Sequence, residues 1–363
     1  MKPETNLKIK NNRGFTLLEI LVAVTIFSLL TVSVFSLYIN TTINYTQDER
    51  TARMLENGRF ALSLIAQDMQ MADFWGEMLN PDGIDISAFS LGDDDCGTKL
   101  LNMEAAILYY LDGGTLMQVE EDNDDTTLSD FDPVNNSDCN NGGSGTTNDD
   151  IIAGTNILAI KRVANEPSDA AERLTGCGTN NPPTDPCDGD IFVNTNGTNA
   201  SLVEYNGGDT TYNYWKYVPV MYFIRDDTDI NGNPVPALCR LELEDNDDRN
   251  SGDDIEFEDA PADCLAEGVE HLHVEFGLDT DNDRIANYYV SNVTTAETED
   301  IVSARIYLLT RTDLEDRDYV NQKIYTLGSF AVNGGAPFND GFYRRVNTTT
   351  VVLRNTRALS LFQ

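Results

Sequence analysis

Histidine occurs only twice in the 363 residues, as His271 and His273, and none of the six cysteines forms a C-x-x-C pair. Imidazole-based general-base chemistry therefore has little to draw on, and the Cys and His spacings fit no zinc module. No G-x-x-x-x-G-K-[ST], G-x-S-x-G or H-E-x-x-H sequence occurs, which removes P-loop nucleotide hydrolases, α/β-hydrolases and zincin proteases. Basic residues are scarce too. Against 61 Asp and Glu stand 24 Lys and Arg, for a net charge of −37. Lys2, Lys8, Lys10 and Arg13 against Glu4 give the first 14 residues +3, so everything beyond Gly14 carries −40. Such a body repels nucleic acid and anionic headgroups and suits a soluble extracytoplasmic domain. With this many carboxylates, close acidic pairs arise by number alone and argue for no hydrolase. The chain reads as a non-enzyme.

Proline is missing between Pro3 and Pro81, so nothing in the sequence forces a helix break from Phe15 to about Trp75. The first part of that stretch, from Phe15 to Ile39, is apolar, with Glu19 its only charged residue. At about 1.5 Å per residue it spans the ~30 Å hydrocarbon core of a bilayer. A carboxylate there costs up to about 3 kcal/mol and needs a partner. An uncleaved signal anchor would place the basic end in the cytoplasm, but it explains neither Glu19 nor the polar Thr25, Ser28, Thr31, Ser33 and Ser36.

The stretch Arg13-Gly14-Phe15-Thr16-Leu17-Leu18-Glu19 resembles the prepilin cleavage and methylation signal of type IV pilins and type II secretion pseudopilins. The resemblance implies a prepilin peptidase that cuts between Gly14 and Phe15 and then N-methylates Phe15. It also implies that Glu19 of one subunit pairs with the Phe15 amine of a neighbour, so that each buried charge satisfies the other.

Beyond Asn40 the helix turns amphipathic: Met54, Gly58, Ala61, Ile65, Met69 and Ala72 recur every three or four residues, broadened by Leu55 and Leu62. One helix of about 60 residues would run roughly 90 Å. The alternative is two helices hinged near Asn40–Thr42, where Asn and Thr are poor helix formers. From Asp82 short apolar runs alternate with acidic, turn-rich loops. Strands are predicted at Ala106–Leu111, Thr115–Val119, Ile157–Val163, Leu202–Tyr205, Tyr217–Arg225, Leu238–Leu243, Val269–Leu278, Asn287–Val290, Ile301–Thr310, Ile324–Phe330 and Val346–Arg354. No helical crossovers separate them, so the sheets should be antiparallel. In Val269–Leu278 apolar residues alternate with His271, His273 and Glu275, the pattern of a half-buried strand.

Further segments resemble the PilW family of minor pilins. They are Glu56–Leu62 with Ala66–Ala72, Gly268–Leu272 leading into Phe276–Asp281, Val302–Ile306, and Tyr343–Val346 with Thr349–Val351 and Leu353–Asn355. The fold expected is α+β and pilin-like, a long N-terminal helix packed on an antiparallel β domain with long acidic loops. Its parts are a leader at 1–14, a membrane and filament-core half-helix at 15–39, an amphipathic half-helix at 40–75 and a periplasmic body at 76–363.

Cys96, Cys139, Cys177, Cys187, Cys239 and Cys264 sit among Gly, Asn and Asp and read as disulfides of an oxidising compartment. Their pairing stays open, with the short Cys177/Cys187 loop the first expectation. Asp279, Asp281 and Asp283 supply oxygens at alternate positions, as the first half of an EF-hand does, and are the candidate calcium ligands. Arg284 stands where that loop needs Gly, and Val290 where it needs Glu, so no EF-hand is expected. No other cofactor is indicated. The resemblance implies a minor pilin that helps prime pilus assembly near the tip. Its partners would be the peptidase, other minor pilins, the major pilin and a tip adhesin, and the inner membrane would hold it beforehand. The alternatives are a minor pseudopilin of type II secretion and a membrane-anchored binding module that never polymerises.

Overall fold

The computed structural model describes residues 15–78, 81–86, 106–111, 115–118, 152, 154–168, 191–204, 212–228, 232–242, 263–293 and 300–355. It divides into two compact units, Met1–Ala52 and Arg53–Gln363.

In chain order the elements are α1 (Leu17–Met71), β1 (Ile84–Asp85), β2 (Ile107–Leu111), β3 (Thr115–Gln118), β4 (Ile157–Ile160), β5 (Ile191–Thr195), β6 (Ala200–Glu204) and β7 (Asn213–Lys216). There follow β8 (Val220–Thr228), β9 (Pro234–Glu242), β10 (Asp263–Glu267), β11 (Val269–Leu278), β12 (Tyr288–Val290), β13 (Ile301–Arg311), β14 (Thr326–Leu327), β15 (Phe330–Ala331) and β16 (Arg344–Val352). Helix α1 runs through Asn40–Thr42 without a hinge. Thr41 and Thr42 stay helical there, their hydroxyls donating to the carbonyls of Leu37 and Tyr38. It ends at Met71, short of Trp75. Asp73 takes a left-handed φ of 63°, and its N–H leaves the helix for the Lys161 carbonyl.

Three sheets carry the second unit, in the orders β10-β9-β8-β4-β2-β3, β12-β11-β13-β16 and β1-β6-β5-β7, beside a β14-β15 hairpin. All ladders are antiparallel except the two-residue β1–β6 pair, which is parallel. The expected stripe is the packed face of the helix. Met54, Gly58, Ala61, Leu62, Ile65 and Met69 are buried, and Ala61, Leu62, Ile65, Met69 and Ala72 join Leu158, Tyr222, Leu272, Val274, Phe276, Ile306 and Leu308 in one core. Each fully buried Leu, Ile or Met there is worth about 1.5–3 kcal/mol. A second core gathers Trp75, Val163, Ile191, Val193, Leu202, Trp215 and Tyr217 under the β1-β6-β5-β7 sheet.

β11 differs from its expected half-buried form: both its faces are covered. Leu272, Val274, Phe276 and Leu278 enter the main core, while the β14–β15 hairpin lies over His273 and Glu275. Gly328 makes this approach possible. Its φ is +60°, and a Cβ there would run into the Glu275 carboxylate. Cys239 and Cys264 face each other across β9 and β10 and form a disulfide. Cys96, Cys139, Cys177 and Cys187 lie outside the described residues, and so does the expected Cys177/Cys187 pair.

Candidate functional site

The first turn of α1 is a capping box. The Glu19 N–H donates to the Thr16 hydroxyl oxygen (3.2 Å), and the Glu19 carboxylate accepts from the Thr16 N–H (2.9 Å) and hydroxyl (3.0 Å). Two of the orphan donors of a helix start are thereby satisfied reciprocally, with an acid on the favourable end of the helix dipole. Thr16-x-x-Glu19 ahead of an apolar run is a legible sequence signal for this, and the sequence reading above missed it. Gly14 lies outside the described residues; Phe15, which the cleavage signal would make the new N-terminus, is 83% exposed.

The polar residues along the run also find partners within the helix. Thr25 donates to the Val22 carbonyl, Ser28 to Thr25, Thr31 to Phe27 and Ser33 to Leu29. These four hydroxyls therefore need no external partner in an apolar medium and are compatible with a plain anchor. Glu19 remains the distinctive group. Leu17–Met71 is the one helix among the described residues long and apolar enough to cross a membrane, and its apolar N-terminal side chains are exposed. Such a surface calls for lipid or for neighbouring helices.

In the second unit, Asp68 lies on the packed face of α1 and is 4% exposed. Its carboxylate accepts from Arg162 at 2.8 Å and from the Tyr222 hydroxyl at 2.5 Å, with Arg240 at 3.4 Å. Burial, then the neighbouring carboxylate, push the Tyr222 hydroxyl well up, so it stays a donor. These contacts fix the helix against β8 and β9 in one register. A second buried network holds the C-terminal strand. Arg344 makes bidentate bonds to Glu270 (2.6 and 2.9 Å) and to Asp340 (2.6 and 2.7 Å), with Phe338 3.7 Å beneath its guanidinium. Sequence reasoning found neither network.

The two histidines share one face of β11. The Tyr109 hydroxyl accepts from Asn156 (2.8 Å) and from the Val274 N–H (2.9 Å), so its proton goes to His273 Nδ1 at 3.0 Å. His273 is thus neutral with its proton on Nε2, and its ring stacks on Phe330 at 5.3 Å. Burial lowers both His271 and His273 to about 4, helped at His271 by the Arg344 charge. Glu275 accepts from the Ser329 N–H (2.7 Å) and the Tyr307 hydroxyl (2.9 Å). Burial opposes its ionisation, but these bonds hold the carboxyl below its usual range.

Asp279, Asp281 and Asp283 do come together, each offering an oxygen within 4.8 Å of the others. Asp279 is fully buried and already accepts from the N–H groups of Asp281, Asp283 and Arg284. Arg284 adopts the left-handed φ of 71° that the calcium loop obtains from Gly, while Val290 lies in β12 with no carboxylate to offer. A calcium ion here would rely mainly on Asp281 and Asp283, which are exposed, since Asp279 is buried and both its oxygens already accept backbone N–H groups.

Two families match the sequence. Residues 9–35 match the Prokaryotic N-terminal methylation motif, and residues 221–355 match Type IV Pilus-assembly protein W. No curated protein and no solved structure matches the chain. The first match covers the capped, apolar start of α1. The second runs from β8 through β16, including the histidine strand and the Arg344 network. The chain thus carries, in this order, a stretch similar to the prokaryotic N-terminal methylation motif and a stretch similar to Type IV Pilus-assembly protein W, which together support a pilus-related minor pilin.

Proposed function

We propose that the chain is made as an inner-membrane precursor whose residues 1–14 are a leader, and that a prepilin peptidase cuts between Gly14 and Phe15 and N-methylates Phe15. The mature chain keeps 15–39 as its membrane and filament-core half-helix, 40–75 as its packed half-helix and 76–363 as a periplasmic body. It then helps prime pilus assembly with other minor pilins beneath a tip adhesin, and the major pilin follows. The observation that carries this reading is the geometry of Glu19. Both Thr16 bonds land on Oε2, so Oε1 is left to receive the Phe15 amine of a neighbouring subunit without undoing the cap. The aspartate turn enters the proposal as the residue set a calcium ion would use.

Mass spectrometry of the mature N-terminus tests the processing step. Wild type should begin at N-methyl-Phe15, and Gly14→Val should remain a longer membrane-bound precursor. Glu19→Ala should be cleaved nearly normally yet support fewer pili. N-methyl-Phe15 on the Gly14→Val chain would overturn the cleavage assignment. A deletion that abolishes protein secretion and leaves twitching intact would move the chain to type II secretion.

A further inference from the structure

β16 is the longest open sheet edge among the described residues. Its nine residues pair with β13 on one side, and no described strand pairs with the other. The remaining outer strands of the three sheets have two to five residues. The direction of its backbone groups follows from one bond. Leu353 N–H donates to the Val302 carbonyl (3.0 Å), which makes that pair a hydrogen-bonded one. By alternation Asn347, Thr349 and Val351 also bond β13, while Thr348, Thr350 and Val352 aim N–H and C=O outward. Thr348 and Thr350 are exposed, and Val352 is 59% exposed. The other end is closed, since Val346 packs against the Leu309–Tyr325 cluster and the Tyr325 hydroxyl reaches the Arg344 carbonyl.

Natural edges of this length are usually protected by proline, a bulge or a central charge. Here there is none. The β13–β16 register is unbroken, and Val346–Val352 is uncharged, with six of its seven residues Val or Thr. Charge then selects the occupant. In a chain of net charge −37, residues 344–355 hold no carboxylate, and exposed Arg345 and Arg354 flank the open edge. A second copy is a poor fit. Antiparallel pairing about Thr350 would bring Arg345 of each copy diagonally beside Arg354 of the other, between two strongly acidic bodies.

We propose that β16 is a strand-addition site for an acidic, extended segment of a different pilus subunit. Its backbone would bond Thr348, Thr350 and Val352, and its terminal carboxylates would meet Arg345 and Arg354. The inference rests on the pilin reading only in assigning that segment to another filament subunit.

The test uses the full chain in detergent micelles and fluorescent nine-residue probes of alternating Thr and Val with Glu at both ends. Two controls carry Lys at both ends, or N-methyl groups on the backbone nitrogens of both edges. The Glu-ended probe should bind, and both controls should bind at least about tenfold more weakly. Arg345→Glu with Arg354→Glu should reverse the charge preference. Thr348→Pro should abolish binding without lowering the melting temperature, because an outward N–H is not part of the ladder. Should that variant fail to fold, the N-methylated probe asks the same question. No binding of the Glu-ended probe at millimolar concentration, or equal binding of either control, overturns the proposal. Normal piliation without this chain, with probe binding intact, would remove the pilin reading and leave the edge site standing.

Discussion

His271 and His273 should make this body acid-labile well above the pH at which carboxylates titrate. Both rings are held neutral in the fold down to about 4, whereas in an unfolded chain each takes a proton near pH 6.5. Below pH 6.5 the unfolded state therefore binds more protons. The stability these residues contribute is whole above that pH and is lost as pH falls toward 4. Linkage gives a loss of about 2 kcal/mol per ring at pH 5 and about 3 kcal/mol at pH 4. Glu275 acts in the same direction, but only below its ordinary range near 4.5, so the upper window belongs to the histidines. Protonation has a structural price at His273, since Nδ1 faces the Tyr109 hydroxyl, which donates to it. Urea unfolding of the full chain in micelles, followed by the fluorescence of the buried Trp75 and Trp215, reads this directly. Between pH 7 and pH 5 the wild type should lose about 4 kcal/mol, and His273→Gln about half as much. The double His271→Gln, His273→Gln variant should lose almost nothing over that interval, whatever its stability at pH 7. A double variant that kept the wild-type slope would refute the reasoning.

Gly58→Leu should destabilise by about 1–3 kcal/mol despite its better helix propensity, because a Cβ there already meets Asn347 Nδ2 at 2.6 Å; a raised melting temperature would contradict this. Arg344→Ala should cost about 1.5–3 kcal/mol in urea unfolding, since it removes two bidentate charge-assisted contacts and leaves Glu270 with Arg311 at 3.5 Å and Asp340, half-buried, without an arginine bonded to it. If calcium binds the aspartate turn, calorimetry should record heat that Asp281→Asn with Asp283→Asn abolishes. Asp279→Ala should lower stability even in chelator, because it removes the acceptor for three backbone N–H groups.

What the sequence discloses here depends on whether a signal is local. The 3.6-residue recurrence from Met54 to Ala72 and the lack of proline are local, and they suffice to identify the helix and its buried face. β11 and β13 were similarly legible, being long, rich in β-branched residues and bounded by turns. β5, β7 and β10 were missed. Each has four or five residues set among Asn, Asp and Gly, and its strand conformation is decided by ladder partners that no short window contains. β11 was misread in one respect, since its polar face looked solvated until a hairpin some fifty residues away covered it.

Asp68 marks the limit most clearly. An acid one residue before Met69 and three after Ile65 falls inside an apolar stripe, which implies a buried partner. The partners are Arg162 in the segment after β4, Tyr222 on β8 and Arg240 on β9, and no spacing rule selects the two arginines from 24 basic residues or the tyrosine from 15. Glu19 presents the opposite case. There the local signal was complete, yet the same carboxylate answers to two readings. As the last residue of a capping box it needs only Thr16, and as an assembly group it needs an amine from another chain. The two compete only if they use the same oxygen, and the cap uses Oε2 alone. Thr16→Ala should therefore weaken the first turn by about 0.5–2 kcal/mol while leaving the carboxylate that assembly requires. Glu19→Ala removes both, so piliation should fall further in Glu19→Ala than in Thr16→Ala. Equal piliation by the two variants would mean that the cap, and not the intersubunit charge pair, is what Glu19 provides.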